Sequence, residues 1–214
     1  MRILSIQVGV PRTFQYGGQN VVTSIFKKQV PGPVRLRTLN LEGDTQSDLK
    51  VHGGRDKAVY AYSYDAYDWW KRTRPNDTFE SGAMGENLSV DQMPEDQLFI
   101  GDTFEIGEAV VQITQPRFPC YKLGMKFNDP AILKQFMKLE RPGIYFRVLK
   151  EGEIDVQQEF ELIDQEAVRI SVHELFTINR TAPADPSRIR EILKLKSLNE
   201  QWREEFESLD AAPA

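Results

Sequence analysis

Up to about residue 170 the apolar residues recur at every second position in short runs, and beyond it they recur at helical spacing. Period two places alternate side chains on opposite faces, so Leu4/Ile6/Val8, Val34/Leu36, Ala58 to Tyr62, Val111/Ile113 and Ile144/Phe146/Val148 are expected to be half-buried strands. Turn-forming pairs separate them, among them Gly17-Gly18, Gly53-Gly54, Gly101-Asp102, Gly107-Glu108 and Pro142-Gly143. Many short strands at such spacing imply a barrel or a sandwich. Two helices interrupt the pattern. One is expected over Ser63 to Arg72, ending before Pro75, and the other over Ala131 to Leu139, opened by Asp129-Pro130 as an N-cap with proline at the first helical position.

Three helix starts follow. Ser171 with Glu174 and Ser197 with Glu200 fit the capping box, and Asp185-Pro186 lies between them. Leu175/Ile178, Ile189/Ile192/Leu193 and Leu198/Trp202/Phe206/Leu209 form helical stripes. Helices this short require a partner surface: each other, the β region, or a second copy of the chain. The expected division is a β domain over 1–165 and a three-helix extension over 166–210.

No apolar run approaches the ~20 residues of a membrane span, and the start Met1-Arg2-Ile3-Leu4-Ser5-Ile6-Gln7 is too polar for a signal peptide, so a cytoplasmic protein without a membrane partner is expected. The net charge of −5 argues against a general nucleic-acid partner, because phosphates select a basic face. The short basic stretches Lys27-Lys28, Arg35 to Arg37 and Arg55 to Lys57 still allow a pocket for one phosphorylated small molecule.

Cys120 is the only cysteine, which rules out an internal disulfide. It stands in Gln115-Pro116-Arg117-Phe118-Pro119-Cys120-Tyr121-Lys122, where the flanking cations Arg117 and Lys122 favour a thiolate nucleophile or soft-metal ligand. The two prolines restrain the backbone that aims it. A small buried hydrophobe is the competing role for any lone cysteine. His52-Gly53-Gly54 precedes a strand, and such glycines let a backbone approach a ligand; a turn with a hydrogen-bonding imidazole is the alternative. The other histidine, His173, falls in the first turn of a C-terminal helix, where a structural role is expected. In Gly85-Glu86-Asn87-Leu88 the amide of Asn87 could serve a heterocycle or close an Asx turn. Dinucleotide, Walker and nucleophile-elbow motifs are missing, and one cysteine with two histidines does not make a zinc site.

His52-Gly53-Gly54, Gly85-Glu86-Asn87-Leu88 and the Gln115 to Lys122 segment, in that order, resemble the MOSC domain family, relatives of the C-terminal domain of molybdenum cofactor sulfurase. Lys27 in Thr23-Ser24-Ile25-Phe26-Lys27, the pair Gly43-Asp44 and a C-terminal helical extension make the resemblance closest to the bacterial YiiM subgroup. The resemblance implies a mostly β fold: a MOSC β-barrel with a few short helices, followed by a C-terminal three-helix subdomain. It implies the molybdenum cofactor, a pterin whose dithiolene holds the metal, with Cys120 as the protein's thiolate ligand and catalytic residue. Lys27, Arg117 and Lys122 would face phosphate or metal-bound oxygens, His52 and the Gly53 and Gly54 amides would line the pocket, and Asn87 would contact the pterin. Phe118 would stand at the substrate opening. The implied activity is molybdenum-dependent reduction of N-hydroxylated compounds, such as N-hydroxylated purine bases, with electrons from a separate donor protein. A cofactor carrier and sulfur transfer through a Cys120 persulfide are the alternatives, and a homodimer contact through the helices stays open.

Overall fold

Strand β9 (Ala109–Pro116) is the longest of twelve among the described residues and carries the chain directly to Arg117 and Cys120. The structure, a computed structural model, describes residues 1–47, 53–178 and 185–211. The strands before β9 are β1 (Ile3–Val8), β2 (Arg12–Tyr16), β3 (Gln19–Thr23), β4 (Lys28–Gln29), β5 (Val34–Leu36), β6 (Val59–Ser63), β7 (Leu88–Val90) and β8 (Thr103–Ile106). Those after it are β10 (Ile144–Lys150), β11 (Gly152–Ile154) and β12 (Glu161–Asp164). The helices are α1 (Ala66–Thr73), α2 (Tyr121–Lys126), α3 (Ala131–Leu139), α4 (Val172–Ile178), α5 (Pro186–Ile192) and α6 (Glu200–Asp210).

Eight strands form one sheet in the order β12-β8-β9-β10-β6-β7-β1-β4, while β11 pairs with β5 and β2 with β3. Among the described strands only β6 and β7 pair in parallel. The order is linear, so strand pairing does not close the expected barrel. Residues 157–160 nevertheless approach the chain start: the Ile3 amide donates to the Gln158 carbonyl (2.9 Å) and the Phe160 amide to the Met1 carbonyl (2.9 Å). These bonds and the single bridge Arg2↔Glu159 stitch the two regions without making a ladder.

The sheet has a core on each face, and this explains where alternation fails. All five residues of β6 are buried. Val59 and Ala61 join a cluster with Ile113, Ile144 and Phe146, whereas Tyr60 and Tyr62 join a second cluster with Trp70, Leu123, Ile132 and Phe136 from the helices. A strand covered on both faces has no polar side to show. β10 keeps the expected pattern, with Ile144, Phe146 and Val148 inside. In β1 the expected set Leu4/Ile6/Val8 is corrected to Ile3 and Ile6, because a register shift between Ile3 and Ser5 against β7 moves the strand by one residue and exchanges its faces.

Helices α4, α5 and α6 occur where the stripes place them, and their Leu175, Ile189, Ile192, Trp202 and Phe206 belong to the same apolar cluster as the sheet residues. The Glu174 amide donates to Ser171 Oγ (3.0 Å), and the Ser187 amide to the Asp185 carboxylate (2.9 Å), as capping requires. The expected cap at Ser197 is corrected: Asn199 accepts from the Trp202 amide (2.9 Å) and starts α6, while the Ser197 amide donates to Glu166 (2.7 Å). No helix among the described residues is long and apolar enough to cross a membrane.

Candidate functional site

The segment Arg117 to Cys120 joins β9 to α2, and its two ends are held by different cores. Pro116 pairs opposite Ile144 in β10, so β9 remains in the sheet up to the turn. Cys120 has an extended backbone (φ −116°, ψ 169°) and α2 begins at the next residue. Between them, the Phe118 ring lies against Phe176 of α4 (centroids 4.9 Å apart) and Trp202 of α6 (5.9 Å). Asn199 adds a polar brace, donating its side-chain amide to Gln115 Oε1. The C-terminal helices therefore support the cysteine segment from behind.

In front of it lies a cavity of about 110 Å³. Cys120, Lys27, Asn87, Arg117 and Lys122 all line it, so five of the residues expected at a site meet in one place. Gly53 and Gly54 are not among its lining residues. The Gly54 amide donates instead to Gln46 Oε1 (2.8 Å), with the positive φ of 94° that glycine permits. His52 lies outside the described residues. Among the lining residues, sequence reasoning missed Tyr60 and Tyr145, which face each other across β6 and β10, and Gln46.

The buried charges determine what the cavity wall can do. Lys27 Nζ lies 2.5 Å from Asp44 Oδ1, and the two side chains are 8% and 3% exposed. Burial lowers the pKa of Lys27, with Asp44 opposing the fall. Asp44 also accepts from the Gly9 amide (2.6 Å) and from the Asn87 side-chain amide (2.9 Å). Asn87 in turn accepts from the Tyr60 amide (3.2 Å) and donates to the Gln7 carbonyl (3.2 Å), so both ends of its amide hold protein groups. Its evident work is to orient Asp44, and through Asp44, Lys27.

Arg117 is almost wholly buried. It donates to the Met84 carbonyl and lies over the Tyr60 ring, 4.6 Å from its centroid. Burial alone would lower its pKa, but Tyr60, Tyr145 and Cys120 outweigh that and hold it above its ordinary value. The guanidinium is thus a fixed positive charge beside the thiol. Behind the wall, Lys126 donates to the carbonyls of Gly82 (2.6 Å) and Ile25 (3.2 Å), and burial lowers its pKa to about 8 against the opposing charge of Glu86. Glu86 Oε1 accepts from the Gly82 amide (2.6 Å), Ser89 Oγ (2.8 Å) and the Tyr67 hydroxyl.

No group of three or more His, Cys, Asp or Glu among the described residues is arranged to hold a metal ion. The cavity itself offers one soft ligand, Cys120, within a cationic wall, so any metal placed there has to bring most of its other ligands.

The MOSC domain profile matches residues 48–161, more than half of the chain and including the cysteine segment. The chain belongs to the MOSC domain family. It is 38% identical over 206 residues to uncharacterized protein YflK of Bacillus subtilis, covering 95% of this chain and 92% of that protein. It is 35% identical over 182 residues to protein YiiM of Escherichia coli, with 84% and 81% covered. The crystal structure of YiiM from Geobacillus stearothermophilus superposes with a TM-score of 0.82 at 30% identity, over 98% of this chain and 99% of that one. These likenesses make this a YiiM-type MOSC protein. A protein of Gibberella moniliformis named reductase is 32% identical over 173 residues, which are 79% of this chain and 30% of that protein. The family is associated with the molybdenum cofactor.

Proposed function

We propose that this protein binds the molybdenum cofactor at the Cys120 cavity and reduces N-hydroxylated compounds, N-hydroxylated purine bases among them. The observation that carries this reading is the convergence of one thiol with Lys27, Arg117 and Lys122 on a single cavity. The donor set fits the group: one thiol suits a metal that arrives with its own dithiolene, and the cations suit a phosphate and oxyanions. The cavity, at about 110 Å³, is below the ~300 Å³ at which cofactor and ligand pockets usually begin, so much of the group would lie beyond this enclosed space.

When bound, the cofactor supplies a metal capable of two-electron redox change. Reduction of a hydroxylamine breaks its N–O bond and yields the amine and water, taking up two electrons and two protons; the electrons come from a separate donor protein. The residues here do the holding and the charge work. Cys120 would be the protein's ligand, aimed by the braced segment between Pro116 and α2. Arg117 would keep its charge throughout, fixed by Met84 and the Tyr60 ring. Lys27 is the cavity residue whose proton burial loosens, and Asp44 keeps that proton directed.

The test is the molybdenum and pterin content of protein purified from a cofactor-competent host, beside Cys120→Ala. Near-stoichiometric metal that falls or becomes labile in the variant, with loss of N-hydroxylated substrate reduction, is expected. Full activity of Cys120→Ala, or no metal in either protein while a control molybdoenzyme loads, would overturn the reading. Loading without reductase activity under any donor would identify a carrier, and one added sulfur on Cys120 by mass spectrometry a persulfide protein.

A further inference from the structure

The Cys120 cavity is too small to contain a cofactor and the whole of its substrate, so most of the substrate must lie elsewhere. Phe118 is a wall of that cavity and also a wall of a second groove, of about 530 Å³, against α3. This volume falls within the ~300 to 1,000 Å³ typical of small-molecule sites. Pro119, Leu133 and Met137 supply the rest of its apolar lining. The Phe118 ring is held from behind by Phe176 and Trp202, so it offers a fixed aromatic surface. Met137, half-buried on α3, is a side chain whose flexible thioether adapts to a ring laid against it.

The rim carries charge of one sign on one side. Lys134 and Lys138 are exposed, line the groove and lie four residues apart, hence on the same face of α3. Among the described residues no carboxylate lies within 4 Å of either ammonium. Glu140 also lines the groove, with its carboxylate 3.5 Å from His173 Nε2.

We propose that this groove binds a planar aromatic ring bearing an anionic substituent, the ring against Phe118 and Met137 and the anion on Lys134 and Lys138. That the occupant is the substrate of the Cys120 centre rests on the reductase reading; that the groove selects a ring with an anion does not. For purines the consequence is specific: the nucleoside monophosphate is preferred over the nucleoside or the free base.

The experiment is calorimetric titration of the protein, as purified from a cofactor-competent host, with adenosine 5′-monophosphate and with adenosine. Neither ligand has an N–O bond, so binding is read without turnover, and a double variant of Lys134 and Lys138 separates the groove from the cationic Cys120 cavity. The monophosphate is expected to bind about tenfold more tightly, the size of effect that two solvent-exposed charge contacts give together. Lys134→Glu/Lys138→Glu should abolish that preference while leaving adenosine binding unchanged, and Met137→Glu should weaken both ligands; all variants should melt within a few degrees of the parent. Equal affinity for the two ligands in the parent, or an undiminished preference in the double lysine variant, would overturn the proposal. A preference that the double lysine variant abolishes, in a protein that never loads metal while a control molybdoenzyme does, would leave the groove standing and remove the reductase reading instead.

Discussion

Asn199 is the most economical place to test whether the C-terminal helices support the cysteine segment. Its side chain makes two bonds at once, accepting from the Trp202 amide at the start of α6 (2.9 Å) and donating to Gln115 Oε1, one strand position before Pro116. Both residues are 5% exposed, so water does not replace what is removed. Asn199→Ala deletes an N-cap, about 1 kcal/mol, and strands a buried amide oxygen on Gln115, about 1 to 3 kcal/mol. The sum is roughly 2 to 4 kcal/mol, or a fall in Tm of roughly 4 to 16 °C at the ~2 to 4 °C per kcal/mol of a chain this size. Asn199→Ser retains a capping oxygen but cannot reach Gln115, and is expected to recover about 1 kcal/mol of that loss. Thermal unfolding followed by circular dichroism gives the stabilities. A second readout belongs to the site alone: the rate at which a thiol reagent modifies Cys120 should rise in both variants, because both release Gln115. An Asn199→Ala protein that melts within 1 °C of the parent, or one that is destabilised with unchanged Cys120 reactivity, would refute the idea that α6 braces the cysteine through this bond.

Three further outcomes follow from the same geometry. Asp44→Asn removes the carboxylate 2.5 Å from the buried Lys27 ammonium and is expected to destabilise by about 3 to 5 kcal/mol in urea unfolding, less whatever Lys27 recovers by losing its proton; a change under 1 kcal/mol would contradict the pairing. Gly85→Ala forces a side chain into a backbone at φ +86°, with its Cβ 2.8 Å from Ile25 Cγ1 in the cavity wall, and should lower stability by about 1 to 3 kcal/mol, readable as a drop in Tm. Lys126 has its pKa lowered from 10.5 to about 8, so the folded state resists its proton: the penalty is complete below pH 8 and disappears as pH rises to 10.5, where the unfolded chain also releases its proton. Stability of the parent relative to Lys126→Met should therefore increase between pH 8 and 10.5, by up to about 3 kcal/mol, and a flat difference would show that Lys126 is not buried as a cation.

The sequence made legible what depends on neighbours in the chain. Arg117, Cys120 and Lys122 share one short segment, and the prolines around them state that its path is fixed; the structure places all three on the cavity. Asp185-Pro186 marked a helix start for the same local reason. What stayed hidden depends on pairing between distant segments. Tyr60 and Tyr145 lie 85 positions apart and become cavity walls only because β6 and β10 align them. The failure at β1 has the same origin, since the register shift that selects Ile3 over Leu4 is set by β7. Ser197 and Asn199 are equally good caps by residue type, and only Glu166, bonded to the Ser197 amide, assigns the cap to Asn199. The resemblance put Phe118 at a substrate opening, but that it borders two concavities depends on neighbours from α3, α4 and α6 that the sequence does not bring together.

The electrostatics of the site explain why such an arrangement favours an anionic guest. Lys27, Arg117 and Lys122 are buried around the cavity, with Lys126 just behind, while the buried carboxylates beside them are Asp44 and Glu86. Charges buried in this way are poorly screened, so each acts strongly on its neighbours. Burial lowers the proton affinity of Lys27 and Lys126, with Asp44 and Glu86 opposing the fall, while the Arg117 guanidinium keeps its proton. An anion entering the cavity adds a further opposing charge, so its binding favours the protonated forms of Lys27 and Lys126. A phosphate or an oxyanion brought to the Cys120 wall therefore favours the charge that holds it, and a neutral ligand does not.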